Sequence, residues 1–198
     1  MMLLLAFVIL FVALLLLLVW RHPWFRAKSC GLLYTWFGLS ISQAQAAAHL
    51  QDIDDIFREC KLHFWLTEGT ALGAIREGRV IPTDTDIDIG VREAHVLRAC
   101  ALPRLQERGF MVWRDKPHMV SVVRGFLYVD IMVFRPGEYC VDMPCDEMER
   151  FMPTRRRVDM YGLALWTMSE DYLVRTYGHD WRTPKHQWKP PSAATPRH

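Results

Sequence analysis

The chain of 198 residues has no asparagine, no internal repeat and little net charge, and each shortage narrows what the protein can be. Without asparagine there is no acceptor for N-glycosylation, so this common mark of a lumenal protein cannot be used to decide where the chain resides. The formal net charge of +2 is too small for bulk electrostatics to indicate nucleic-acid binding, and we expect no nucleic-acid partner. The length predicts one compact domain.

The five cysteines form no recognisable pattern. They are odd in number, include no C-x-x-C pair and stand at Cys30, Cys60, Cys100, Cys140 and Cys145. This spacing predicts neither a disulfide framework nor a zinc site. Cys140 and Cys145 are near enough in sequence to close a small loop in an oxidising compartment, but two free thiols are the favoured interpretation.

One apolar run is long enough to cross a bilayer. Residues 2–20 carry no charge, and as a helix they would extend roughly 28 Å at about 1.5 Å per residue. A cleaved signal peptide is the alternative, but the run is too long and lacks a basic start and a small-residue cleavage site. We therefore predict a transmembrane anchor over residues 1–20, a juxtamembrane segment over 21–40, and the lipid bilayer as a partner. Arg21, Arg26 and Lys28 follow the run, which by the positive-inside rule favours a cytosolic domain.

Residues 41–184 read as a single α+β domain, and residues 185–198 as a proline-rich, basic tail. Apolar residues at helical spacing predict helices, and short β-branched runs between turn residues predict strands. Pro103 is expected to kink or split the third helix, and after Pro136 the pattern loosens. The predicted helices cover 42–61, 72–76, 93–108 and 169–177, and the predicted strands cover 63–67, 86–91, 111–114, 119–123 and 126–134.

Three aspartates alternate in the stretch VIPTDTDIDIGV, at Asp84, Asp86 and Asp88. On a strand, Asp86 and Asp88 share one face about 6.7 Å apart, while the isoleucines between them point into the core. Two carboxylates at that distance repel each other by roughly 2–3 kcal/mol at an effective dielectric near 20. A bound divalent cation would offset this repulsion, and carboxylate oxygens suit Mg²⁺ or Mn²⁺.

Two further features extend this cluster. Asp130 lies in the otherwise apolar run FLYVDIMVF, where an unpaired carboxylate would be costly; it either completes a three-carboxylate cluster or pairs with an arginine. Gly69 and Thr70 stand at a strand-to-helix turn whose backbone N–H groups suit a phosphate. A Gly-Thr turn, an Asp-x-Asp strand and a later strand aspartate are the arrangement of the nucleotidyltransferase fold, with a mixed sheet flanked by helices.

The stretch FWLTEGTALGAIREGRVIPTDTDIDIGV resembles the core motif of the LicD and fukutin family of phosphotransferases, which includes fukutin-related proteins. The segment EDYLVRTYGHDWRTP is similar to the closing segment of that family, so the resemblance spans residues 62–184. Thr83 stands where the family usually has a tryptophan. The segment 136–166 lacks the family's commoner insertions, which often shape the acceptor site, so the resemblance does not identify the acceptor. The matching residues are Gly69, Thr70, Leu72, Gly73, Arg76, Ile81, Pro82, Asp84, Asp86 and Asp88, then Tyr172, Tyr177, Gly178, Asp180 and Trp181.

The resemblance implies a transferase that moves a phospho-alcohol from a CDP-activated donor, such as CDP-choline or CDP-ribitol, to a glycan hydroxyl with release of CMP. By the same resemblance, Asp86, Asp88 and Asp130 are metal ligands, although Asp130 is alternatively the base. Asp84 is an additional ligand or a support for the others.

The same resemblance gives Gly69 and Thr70 a contact with phosphate, which Arg76 braces. The run from Arg155 to Arg157 either reaches the pyrophosphate or, as favoured, forms a basic surface turn.

Two other functions stay open: a nucleotidyltransferase that moves NMP from an NTP, and an inactive membrane-tethered binding protein. Anchored eukaryotic relatives of the family work in the Golgi or endoplasmic reticulum, so the resemblance implies a single-pass protein with a lumenal domain, against the flanking charges. The donor alcohol, the acceptor, the number of metal ions and the oligomeric state are not predicted.

Overall fold

The structure is a computed structural model, and it describes residues 2–21, 41–135, 139–140 and 143–184. Among these residues, the helices are α1 (Met2–Arg21), α2 (Gln43–Glu59), α3 (Glu68–Glu77), α4 (consecutive segments Ala94–Val96, Leu97–Ala101 and Leu102–Glu107), α5 (Cys145–Glu149) and α6 (Glu170–Tyr177). The strands are β1 (Phe64–Leu66), β2 (Asp86–Val91), β3 (Met111–Lys116), β4 (Met119–Arg124), β5 (Leu127–Val133), β6 (Tyr139–Cys140), β7 (Met143–Pro144), β8 (Arg156–Met160) and β9 (Leu163–Thr167).

Seven strands form one mixed sheet in the order β3-β4-β5-β2-β1-β9-β8, and β6 pairs with β7 in a separate two-stranded ribbon. Strand β2 lies near the centre, antiparallel to β1 and parallel to β5, and β1 is parallel to β9. The predicted α+β class with a mixed sheet flanked by helices is confirmed. The central position of β2 places its aspartates beside β5, as the cluster requires.

Helix α2 packs its apolar stripe into the core of the domain. Ser42 caps its N-terminus, because the serine hydroxyl accepts a hydrogen bond from the backbone N–H of Gln45 at 3.3 Å. Leu50, Ile53 and Phe57 recur at helical spacing and are fully buried. The helix predicted over 42–61 is therefore confirmed, with its ends shifted by one or two residues.

Helix α3 begins at Glu68, four residues before the predicted start of the helix over 72–76. Glu68 adopts a left-handed φ of 46° and Gly69 follows it, so the chain turns into the helix directly after β1. Gly69 and Thr70 consequently lie inside the first turn of α3 and not in the loop before it.

Helix α4 contains a π-helical segment over Leu97–Ala101, which interrupts its regular α-helical geometry. Pro103 follows that segment, lacks a backbone N–H and crowds the preceding turn, which explains the local widening. The predicted interruption is confirmed. Gly109, at a φ of 84°, ends the helix in the left-handed conformation that glycine adopts without strain.

The hairpin of β8 and β9 was not predicted. Tyr161 and Gly162 connect its strands with φ values of 57° and 77°, the two positive values that a tight hairpin turn requires. Because Arg156 and Arg157 lie on β8, the interpretation of the arginine run as a basic surface turn is wrong. The alternation of Leu163, Leu165 and Thr167 after a glycine was the available signal.

The prediction of no disulfide framework is also wrong. Cys60 and Cys100 form a disulfide with a Cα–Cα distance of 5.9 Å, although 40 residues separate them in sequence. The fold brings the end of α2 against the π-helical segment of α4, which the spacing of cysteines cannot reveal. Cys145 is disulfide-bonded as well, so the predicted free thiol there is wrong, while the side chain of Cys140 lies outside the described part of the structure.

The N-terminal run forms helix α1, and its described large apolar side chains between Phe7 and Leu17 are exposed. Within the part of the chain that the structure describes, no helix meets the length and apolarity needed to cross a membrane. This finding does not support the predicted anchor over residues 1–20. The juxtamembrane segment, apart from residue 21, and the tail over 185–198 lie outside the described residues.

Candidate active site

One transverse row of side chains crosses four neighbouring strands of the sheet. The strand registers pair Arg114 of β3 with Ser121 of β4, Ser121 with Asp130 of β5, and Asp130 with Asp88 of β2. Residues that are paired directly across strands share a face of the sheet. The row therefore places a cation, a hydroxyl and two carboxylates side by side on one face.

Asp86, Asp88 and Asp130 form a candidate metal site. One carboxylate oxygen from each residue lies within 4.8 Å of the oxygens of the other two, close enough to surround a single cation. The predicted clustering of these residues is thereby observed in the structure. A set of carboxylate oxygens matches the ligand preference of hard divalent cations, so the residues present fit the metal that the sequence predicts.

The first turn of α3 fixes the position of Asp88. The backbone N–H of Asp88 donates to the Thr70 hydroxyl at 2.8 Å, and its carbonyl accepts from the backbone N–H of Thr67 at 3.2 Å. Both backbone groups of a buried strand residue are thus satisfied by the neighbouring turn. Thr70 therefore holds the strand in place, and its predicted contact with phosphate remains a prediction.

Gly69 makes room for Asp84. A Cβ atom at position 69 would lie 2.3 Å from Asp84 Oδ2, so the carboxylate occupies the space where a side chain would begin. Asp84 Oδ1 accepts from the backbone N–H of Thr85 at 3.0 Å. The close approach of the Asp84 carboxylate explains why a glycine stands at the start of this helix. It also places Asp84, the first of the three alternating aspartates, directly beside the first turn of α3.

Burial and mutual repulsion raise the pKa values of the aspartates. Burial is the largest cause at Asp86, and with the charges of Asp84 and Asp130 it raises the pKa of that carboxyl to about 7. Burial and then the charge of Asp86 raise the pKa of Asp88 well above its usual range. Burial also raises the pKa of Asp84. The metal-free site therefore binds more protons than isolated carboxyls would, and a bound cation displaces these protons.

Asp130 belongs to the carboxylate cluster and also pairs with an arginine, so both interpretations of this residue hold. Arg114 Nη2 donates to Asp130 Oδ1 at 3.0 Å and to Oδ2 at 2.8 Å, and the Ser121 hydroxyl donates to Oδ1. Burial raises the pKa of Asp130, and these two partners oppose the rise. Sequence reasoning named neither partner, because both depend on strand register.

Two tyrosines that contact carboxylates in this region, Tyr128 and Tyr172, also escaped the sequence prediction of the site. The Tyr128 hydroxyl donates to Asp86, its partner across the β2–β5 pair, and burial raises the pKa of this tyrosine. Tyr172, from the closing segment of the family motif, donates to Glu68 Oε1 and is itself fully buried. The negative charge of Glu68 contributes to the raised pKa of Asp88, so a further carboxylate lies near the cluster.

The structure does not place every residue that was predicted to contact phosphate beside the aspartates. Arg76 lies in the last turn of α3, at the opposite end from Gly69, and its guanidinium pairs with Glu77 at 2.7 Å. Arg155 lies over the ring of Trp65, and Arg156 pairs with Glu170 at 2.8 Å. A role for Arg76 or for the arginine run in phosphate binding therefore remains a prediction.

Two rickettsial proteins are similar to part of this chain in sequence. An uncharacterized protein of Rickettsia typhi (strain ATCC VR-144 / Wilmington) is 29% identical over 86 residues, which are 43% of this chain and 27% of the relative. An uncharacterized protein of Rickettsia prowazekii (strain Madrid E) is 28% identical over 72 residues, 36% of this chain and 27% of the relative. The matched part thus spans about a quarter of the length of either curated relative.

The solution structure of the antibiotic-resistance factor ANT(2'')-Ia is similar in fold, with a TM-score of 0.51 and 17% identity over 75% of this chain and 78% of that chain. A family model described as LicD/FKTN/FKRP, nucleotidyltransferase domain, matches residues 61–193 and so covers β1 to α6 and the whole carboxylate cluster. The chain therefore belongs to the LicD/FKTN/FKRP family of nucleotidyltransferase-domain proteins.

Proposed function

We propose that the protein is a metal-dependent phosphotransferase that moves a phospho-alcohol from a CDP-activated donor to a glycan hydroxyl and releases CMP. The observation that supports this most directly is the cluster of Asp86, Asp88 and Asp130, with one oxygen of each within 4.8 Å of the others. Family membership supports the transferase class. The identity of the transferred group, phosphocholine or a phospho-alditol, is part of the proposal and rests on the resemblance in the core motif.

The proposed transfer forms one phosphorus–oxygen bond and breaks another. The oxygen of the acceptor hydroxyl attacks the phosphorus that carries the alcohol, the bond to CMP breaks, and the hydroxyl proton passes to a carboxylate oxygen of the site that does not hold the metal. Asp86, Asp88 and Asp130 would hold Mg²⁺ or Mn²⁺, which when bound neutralises charge on the phosphate oxygens. The first turn of α3, with Gly69 and Thr70, would receive the remaining phosphate charge at a helix N-terminus.

We propose that the catalytic domain works in an oxidising compartment, on the lumenal side of the Golgi or endoplasmic reticulum. Two observations support this: the disulfide between Cys60 and Cys100, and the disulfide-bonded state of Cys145. Disulfides persist in secretory compartments and are rare in the cytosol. The basic residues after the N-terminal run favour the opposite orientation, but a long domain crosses a membrane largely regardless of such charges.

Helix α1 is proposed as the single-pass anchor of this domain. The exposed apolar side chains between Phe7 and Leu17 support a lipid partner, because such a surface is costly in water. Protease protection on sealed microsomes, combined with thiol labelling before and after reduction, tests orientation and disulfides together. Digestion of the domain from the cytosolic side, or labelling of Cys60 and Cys100 without reductant, would contradict the lumenal placement.

The activity is tested by CMP release from the full chain in mild detergent, with a panel of CDP-alcohols, Mg²⁺ or Mn²⁺, and a glycan acceptor fraction. The matched control is the double variant Asp86→Asn/Asp88→Asn. Metal-dependent CMP from one donor, absent in the control, supports the proposal and identifies the donor. Pyrophosphate release from an NTP would instead indicate NMP transfer. No turnover from a folded, metal-binding chain would indicate a binding protein.

A further inference from the structure

We propose that Arg114 and Ser121 are positioning residues that hold Asp130 as a one-oxygen metal ligand, and that they thereby make the site prefer a small cation such as Mg²⁺ over Ca²⁺. The inference rests on the proposed metal site and deepens it. It concerns which oxygen of Asp130 faces the cation and why the other oxygen does not.

A β-bulge delivers Arg114 to this position. The β3–β4 pairing runs regularly through Val112 and Val122, and in a regular hairpin the next pair would be Trp113 with Ser121. The register instead shifts, and Arg114 pairs with Ser121. Bulges commonly redirect a side chain next to an active site, and this one places a guanidinium opposite the hydroxyl that contacts Asp130.

The directions of the hydrogen bonds follow from the donors available. Arg114 Nε, 2.8 Å from the Ser121 oxygen, can only donate, so Ser121 accepts there. The single hydroxyl hydrogen of Ser121 is then free to point at Asp130 Oδ1. Arg114 therefore binds Asp130 twice: directly through Nη2, and indirectly by fixing the orientation of the serine hydroxyl.

These contacts use three of the four acceptor positions of the Asp130 carboxylate. Oδ1 accepts from both Ser121 and Arg114, whereas Oδ2 accepts only from Arg114 among the contacts described. A carboxylate offers about four acceptor positions in all, so one position remains, on Oδ2. Asp130 can therefore contribute one oxygen to a cation, and it cannot serve as a metal ligand and as a proton acceptor at once.

A one-oxygen carboxylate discriminates between cations. Mg²⁺ demands short bonds and near-octahedral geometry, whereas Ca²⁺ accepts longer bonds, more ligands and carboxylates that bind through both oxygens. If Arg114 and Ser121 are removed, Asp130 is free to rotate and to offer both oxygens. The variants should therefore gain relative affinity for Ca²⁺.

The test compares dissociation constants for Mg²⁺ and Ca²⁺ in the full chain, measured by displacement of Mn²⁺ followed by electron paramagnetic resonance. The variants are Arg114→Met and Ser121→Ala. Because both cations carry the same charge, the ratio of the two constants cancels the electrostatic effect of losing a positive charge. We expect the preference for Mg²⁺ to fall about tenfold in Arg114→Met, in the range that loss of a ligand's hydrogen-bond partner commonly produces, and by less in Ser121→Ala.

The matched control is Arg98→Met. Arg98 pairs with Asp115 on the same hairpin, and its side chain is 30% exposed, as is that of Arg114. This variant removes an equal charge and should leave the ratio unchanged. If Arg114→Met fails to fold, Ser121→Ala carries the test.

A ratio that stays at the wild-type value in Arg114→Met and Ser121→Ala would overturn the inference. A wild-type chain that binds neither cation would overturn it together with the proposed metal site. A wild-type chain that binds metal with the expected preference but releases no CMP would contradict the proposed phosphotransfer alone.

Discussion

The two faces of strand β2 show opposite physical chemistry within six residues. On one face Ile87, Ile89 and Val91 are fully buried, and each contributes roughly 1.5–3 kcal/mol of burial free energy. On the other face Asp86 and Asp88 lie among carboxylates whose pKa values are raised by burial and by one another. One face stabilises the fold, and the other costs stability in the absence of a cation.

This difference explains how the fold tolerates a site that lowers its stability when no cation is bound. The carboxylates of Asp86 and Asp88 lie on the central strand of the sheet, which is paired on both sides and whose opposite face packs into the core. The alternation of side chains along a strand separates the two roles completely. Substitutions of the isoleucines on the core face should therefore change stability and leave metal binding intact, whereas substitutions of Asp86 or Asp88 should weaken metal binding.

The largest effect is expected from Asp88→Asn on the site face. Loss of a charged ligand should lower metal-dependent CMP release by at least about 100-fold, since a bound cation contributes several kcal/mol to such transition states. The metal-free protein should melt at a higher temperature, because one of the repelling charges is gone. Parallel turnover and melting measurements with and without Mg²⁺ check both effects.

The matched control for this variant is Glu107→Gln, which removes one negative charge from an exposed position on α4. It should alter neither turnover nor the response to Mg²⁺. An Asp88→Asn protein that still shows the full melting shift with Mg²⁺ would contradict the assignment of Asp88 as a ligand.

On the core face, Ile89→Ala should lower the free energy of unfolding by about 2–5 kcal/mol, the range for removing a buried isoleucine side chain. Ile89 is fully buried. The additional stability conferred by saturating Mg²⁺ should persist, because the carboxylates are untouched. Chemical denaturation at two metal concentrations gives both numbers. If the increment from Mg²⁺ disappears along with the core contact, the two faces are not independent.

Gly90 is the position on the site face that carries no side chain, and Gly90→Ala should destabilise the fold by about 1–3 kcal/mol through overpacking. A Cβ atom there would lie 2.5 Å from Trp65 and 2.6 Å from Phe134, both of them rigid rings. Adding Phe134→Leu should relieve part of the clash, so the double variant should be less destabilised than the sum of the two single variants. Simple additivity would show that the ring contact is not the cause.

The chemistry of β2 was predictable because it depends on a single strand. Alternation alone separates Asp86 and Asp88 from the isoleucines, and the same argument marks Asp130 as an anomaly on β5. The cluster then needed only one assumption, that β2 and β5 are neighbours, and the register of Asp88 with Asp130 bears it out.

The features that escaped prediction depend on contacts between distant segments. Arg114 reaches Asp130 only because a bulge shifts the β3–β4 register, and no local pattern marks that shift. The disulfide between Cys60 and Cys100 joins elements 40 residues apart. The β8–β9 hairpin was not predicted for another reason. Its first strand, β8, is exposed and rich in arginine, so it lacks the apolar–polar alternation on which strand prediction relies.

The smallest expected effect is the dependence of stability on pH, which again separates the site face from the core. The pKa of Asp86 is raised from 3.8 to about 7 in the folded protein, so the metal-free fold loses stability as pH rises through this interval. His49, buried in the core, has its pKa lowered from 6.5 to about 4, chiefly by burial, so it gives the opposite trend between those two values. Above pH 6.5 only the aspartate contribution remains.

Between pH 6.5 and pH 8 we therefore expect the metal-free protein to lose about 1 kcal/mol of unfolding free energy, the amount that one proton released over this interval corresponds to. Saturating Mg²⁺ should abolish the loss, since metal binding displaces the same protons. Asp86→Asn should flatten the metal-free curve, whereas Ile89→Ala should lower it uniformly without changing its slope. Denaturation curves at four pH values suffice, and a metal-free stability that rises over this interval would show that the aspartates are ionised in the fold without a cation.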